Sequence, residues 1–134
     1  MAVGETTFAL SNEATSFIVD VAKIANHPDY SSSSNANDIS VLTLARPLDL
    51  TSHPNIKPAC LPAAGATFSP SPATVSGWGT VASGLQAVVW LNKVEVQVFA
   101  SCSEAGQAGT TEDMICAGVS QGGKDSCQGD SGDI

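Results

Sequence analysis

Apolar and polar positions alternate most cleanly between Leu91 and Val98. Leu91, Lys93, Glu95 and Gln97 fall on one side of an extended chain, and Val94, Val96 and Val98 on the other. Period-two alternation rich in β-branched residues predicts a half-buried strand. Thr15 to Ile24 is apolar on both parities, with Ile18, Ala22 and Ile24 on one and Phe17, Val19 and Val21 on the other. That pattern predicts a strand buried on both faces, broken by His27-Pro28-Asp29-Tyr30. Ser31 to Asn37 reads as a small, polar, solvated loop. Asp38 then caps the β-prone run Ile39 to Leu44, which Arg46-Pro47-Leu48 ends.

Further along, Lys57 to Pro62 is an extended connector, because its prolines block helix and ladder pairing. Ala73 to Gly79 forms a short strand with glycines on both sides of Trp78, a core residue by size. Ser101 to Glu104 begins a short helical turn. Met114 to Gly118 is a last short strand leading into the Gln121-Gly122-Gly123 turn. Strands separated by Gly, Pro and Ser turns make the class all-β.

Composition narrows the function classes. The 134 residues can bury one modest core, and at 43% hydrophobic but 5% aromatic that core is aliphatic. Five Lys+Arg against thirteen Asp+Glu give a net charge of −8, which repels phosphate backbones and anionic membranes; nucleic acid and membrane are not expected partners. No apolar run reaches the roughly 18 residues of a membrane span, and Met1 to Glu5 shows no signal-peptide pattern. The four cysteines, Cys60, Cys102, Cys116 and Cys127, form no Cys-x-x-Cys pair, and both histidines, His27 and His53, precede proline. Neither a metal nor any other cofactor is expected.

Candidate chemistry gathers in Lys124-Asp125-Ser126-Cys127-Gln128-Gly129-Asp130-Ser131-Gly132. Ser131 lies among turn-forming neighbours that would hold it out from the backbone. Gly129 lets its own amide and that of Ser131 point into one small space, as an oxyanion hole beside a nucleophile requires. Asp125 is a carboxylate that could hold a cationic side chain at the bottom of a pocket. Asp38 by itself reads as a loop residue bonding local amides.

The nine-residue run with its cysteine resembles the active-site segment of the trypsin/chymotrypsin family of serine endopeptidases. Asn37-Asp38-Ile39 before a Leu-rich strand, Ser76-Gly77-Trp78-Gly79, and the Lys57 to Pro62 connector resemble other segments of that family. The resemblance implies an incomplete trypsin-like double antiparallel β-barrel. Residues 1–56 would be the end of the first barrel, 57–62 the connector and 63–134 the first part of the second. It implies Asp38 and Ser131 as catalytic residues, Gly129 and Ser131 amides as the oxyanion hole, and Asp125 as the specificity acid for cleavage after Lys or Arg. Asp130 would receive the new N-terminal ammonium when a zymogen is cut.

The same resemblance implies a Cys102–Cys116 disulfide, with Cys60 and Cys127 lacking mates, and an extracellular location. Protein or peptide substrates and protease inhibitors are the implied partners. Glu5 resembles one acid of a calcium loop, but Ser11 to Phe17 offers only a displaced Glu13, so no metal is assigned. All-β double barrels take roughly 200–250 residues, and the family's Ala-His-Cys, Ile-Val-Gly-Gly and downstream Gly-Pro segments do not occur here. The expectation is a fragment without the catalytic histidine and inactive alone, with Asp130 lacking its ammonium partner and its turn loose. The alternative is a non-catalytic protease homologue acting as a binding protein.

Overall fold

The computed structural model describes residues 1–8, 16–82 and 84–132. Thr15, Glu13 and the Asp133-Ile134 end, which entered the readings above, lie outside the described residues. Among the described residues every regular element is a strand: β1 (Ala2–Val3), β2 (Phe17–Ile18), β3 (Val21–Asn26), β4 (Ser40–Leu44), β5 (Ser71–Gly77), β6 (Asn92–Val98) and β7 (Ala117–Gly118). All strand pairings among the described residues are antiparallel, in three small sheets, none of them closed into a barrel. Among the described residues no helix is long and apolar enough to cross a membrane. The chain divides into two units at Ala64/Gly65, with Thr7 and Phe8 belonging to the second.

In the first unit the apolar stretch predicted as one strand is two. Phe17 and Ile18 pair with Val3 and Ala2, whereas Val21 to Asn26 pair with β4, so the chain changes partner at Val19-Asp20. Val19 bonds back to Met1 and Asp20 accepts from the Ala45 amide, which uses the polar backbone at the change-over. A register shift between Val21 and Lys23 then inserts an extra residue into β3. Such a bulge reverses the side on which later residues point. The expected burial on both faces does not occur: Ile18 is 72% and Ile24 63% exposed. A two-stranded ribbon is a single layer, and it offers nothing to cover a second apolar face.

The 27–39 loop that joins β3 to β4 is built from turns. Ser31 pairs with Ala36, the Asn37 side-chain amide donates to the Asp29 carbonyl, and Ser31, Ser33 and Ser34 share hydroxyl bonds. Asn35 and Asn37 take left-handed φ values of 55° and 56°, a region asparagine enters more readily than most residues. Beyond β4, Lys57 to Pro62 joins no ladder.

The second unit carries the longest pairing. β5 and β6 match over seven residues, from Ser71 opposite Val98 to Gly77 opposite Asn92, and β7 adds to the far end of β6. Val96 and Val98 are buried and Val94 half-buried, while Lys93, Glu95 and Gln97 are exposed, as the alternation predicts. Pro72 is tolerated because β5 is an edge strand. Cys102 and Cys116 form a disulfide with a Cα separation of 5.1 Å, closing the loop between β6 and β7. Ser101 to Gly106 is a run of hydrogen-bonded turns and not a helix; Gly106, at φ 71°, turns the chain out of a helical path.

Candidate active-site segment

β5 ends at Gly77, and the residues after it form the support for the Cys127–Ser131 turn. The Gly79 amide donates to Asp130 Oδ1 at 2.7 Å, and the Cys127 amide donates to Asp130 Oδ2 at 2.8 Å. The Asp130 amide donates in turn to the Cys127 carbonyl at 3.1 Å. Thr80 adds an amide bond to the Gln128 carbonyl at 2.9 Å and a hydroxyl bond to Cys127 Sγ at 3.0 Å. Both glycines at the contact are needed. A Cβ on Gly79 would stand 2.4 Å from Asp130 Oδ1, and one on Gly129, at φ +98°, would stand 3.2 Å from the Gly79 Cα.

Asp130 is not left without hydrogen bonds, although no ammonium is among its donors. A carboxylate has room for several donors, and backbone amides of the chain itself engage both oxygens. Bonds to an ionised acceptor are the stronger class, so these two amides help to hold the turn. Ser131 follows Asp130 directly and is exposed.

Asp125 is exposed, and its Oδ1 accepts the Ser126 amide at 2.8 Å. It lines a 460 Å³ cleft whose apolar wall includes Val75 and Val94 and whose charged rim includes Lys93 and Lys124. Cys127 and Asp130 line the same cleft, so Asp125 and the supported turn share one concavity of the second unit. Trp78 is half-buried and packs its ring 6.3 Å from Phe8, next to the support.

The remaining site candidates lie in the first unit. Asp38 is exposed between Asn37 and Ile39, whose backbone groups bond to each other at 2.8 Å. His27 Nδ1 accepts the Asp29 amide at 3.2 Å, and His53 stacks 4.4 Å from Phe17. Asp49, in the turn before His53, is held below the ordinary aspartate range by the Thr51 hydroxyl, then by the Ser52 hydroxyl and the Thr51 amide. Cys60 is an exposed thiol and Cys127 a half-buried one. Sequence reasoning finds Gly79 only as a flank of Trp78 and does not single out Thr80. The signal available is a Gly-Thr pair one residue beyond the strand end at Gly77.

The chain is 36% identical over 133 residues to Trypsin-3 of Salmo salar, covering 97% of this chain and 54% of that protein. It is 40% identical over 124 residues to Trypsin-1 of Astacus astacus, covering 90% of this chain and 51% of that protein. It is 37% identical over 126 residues to Kallikrein-14 of Homo sapiens, covering 90% of this chain and 45% of that protein. The chain thus spans about half the length of the relatives it matches. The family model described as Trypsin matches residues 1–133, and the chain belongs to the trypsin family.

Proposed function

We propose that the chain supplies the aspartate, the serine and the specificity acid of a serine endopeptidase that cleaves after Lys or Arg. The observation that supports this reading is the turn before Ser131, where Asp130 is tied to Gly79 and Cys127 while Ser131 itself stays exposed. In this reading Ser131 Oγ attacks the scissile carbonyl, and its proton passes to an imidazole that Asp38 orients. The Gly129 and Ser131 amides stabilise the oxyanion. Asp125 meets the substrate's cationic side chain from the shared cleft. Asp130 keeps acceptor capacity beyond its two amides and takes an N-terminal ammonium on activation.

The base does not come from His27 or His53. His27 already uses its Nδ1 to accept a turn amide, and neither histidine stands in the Ala-His-Cys setting that the family resemblance implies. A serine without a positioned base is a poor nucleophile at neutral pH, so residues 1–134 alone do not hydrolyse peptides. Protein or peptide substrates and protease inhibitors are the partners; the net charge of −8 disfavours nucleic acid and anionic membranes. The Cys102–Cys116 disulfide favours an oxidising compartment such as the extracellular space.

The test joins residues 1–134 to the segments that complete a relative such as Trypsin-3 and assays an arginine amide. Hydrolysis is expected in the joined protein and not in residues 1–134. Asp38→Asn should lower kcat by about 10⁴-fold. Hydrolysis that survives Ser131→Ala sinks the assignment. A joined protein that folds and binds the substrate without cleaving it favours the binding-protein alternative.

A further inference from the structure

We propose that Thr80 is a positioning residue that sets the placement of both Asp125 and Ser131 through one side-chain contact. The catalytic meaning of this rests on the reading of Ser131 above, but the contact and its test do not. Gly79 and Thr80 together engage Cys127, Gln128 and Asp130, three of the four residues that precede Ser131. Two of those contacts come from backbone amides: that of Thr80 would be offered by any non-proline residue, and that of Gly79 by a residue without a Cβ. The third is the Thr80 hydroxyl on Cys127 Sγ at 3.0 Å, and it depends on the choice of side chain. Thr80 is itself held by its bridge to Ala87, so the hydroxyl is presented from a fixed backbone.

The position of Cys127 makes this contact consequential. Its amide is one of the two donors on Asp130, and its carbonyl accepts the Asp130 amide. Cys127 is therefore the hinge of the turn, two residues after Asp125 and four before Ser131. Thr80, Cys127, Asp125 and Asp130 all line the 460 Å³ cleft. A hydroxyl pinning the Cys127 side chain holds the cleft lining next to Asp125 on one side and the serine turn on the other. Loss of the hydroxyl leaves the backbone contacts in place and frees the sulfur to turn.

The experiment uses residues 1–134 with Cys60→Ser, so that iodoacetamide reports on Cys127, the other two cysteines being in the disulfide. Thr80→Val keeps the shape and removes the donor; Thr80→Ser keeps the donor. With Thr80→Val, Cys127 alkylation and exchange of the Asp130 amide with deuterium should each rise about three- to tenfold, the worth of one neutral hydrogen bond. Thr80→Ser should stay within about twofold of the parent, and exchange at Val94 and Val96 should not change in either variant. Equal rates in Thr80→Val and the parent would overturn the proposal. So would Thr80→Ser behaving like Thr80→Val, or acceleration of the β6 amides alongside Asp130, which would make the role one of general stability. Ser131→Ala should leave every one of these rates unchanged, so a failure here is separable from a failure of the nucleophile assignment, which the amide assay reads.

Discussion

The Gly79 amide meets Asp130 Oδ1 at 2.7 Å across 51 positions of sequence. That bond ties the strand-end Ser-Gly-Trp-Gly run to the turn bearing Ser131, and it is available only because Gly79 has no Cβ. Gly79→Ala should therefore displace the carboxylate. The expected loss is about 1–3 kcal/mol, since a half-buried charged acceptor loses a donor. Denaturant unfolding measures the loss, and faster amide exchange at Asp130 and Cys127 locates it. An unchanged midpoint with unchanged exchange would show that the contact carries no energy.

The buried face of β6 sets the stability of the second unit. Val96→Ala should cost roughly 1.5–3 kcal/mol, while Lys93→Ala on the exposed face should stay within about 0.5 kcal/mol. Urea midpoints of the two variants make the comparison. Equal effects would mean that the alternation does not mark the core.

The Cys102–Cys116 bond closes a loop with a sequence separation of 14. Replacing both cysteines by serine should remove about 3 kcal/mol by the loop-entropy model. The same loss should follow mild reduction of the parent chain, measured by denaturant unfolding with and without reductant. A reduced chain as stable as the oxidised one would show that the loop is already ordered by its turns.

Asp49 provides a pH signature of the first unit. Its carboxyl is held below the ordinary value of 3.8, chiefly by the Thr51 hydroxyl, so the folded state binds the proton less readily than the unfolded state. The resulting stabilisation is present above the unfolded value and is lost as pH falls through the folded one. A carboxyl NMR titration should place Asp49 below the ordinary range. The combined change Thr51→Val and Ser52→Ala should return it towards that range. An Asp49 that titrates normally in the parent chain would remove the effect.

What the sequence determined by itself was local. The period-two pattern from Leu91 to Val98 was enough to place Val94, Val96 and Val98 inward, because side chains of an extended chain alternate whatever the strand pairs with. The Gly, Pro and Ser turns likewise mark the all-β class, and the Lys124 to Gly132 run marks the family to which the chain belongs. The tertiary structure decided what depends on partners distant in sequence. It divides the described part of the Thr15 to Ile24 stretch between two different strands and puts a bulge after Val21, leaving Ile18 and Ile24 exposed where periodicity puts them inside. It gave Asp130 two amide donors, one of them from Gly79, and it brought the Thr80 hydroxyl onto Cys127. Alternation is a property of each strand alone. Which edge, amide or hydroxyl a residue meets across tens of positions is chosen only when the whole chain has settled its pairings.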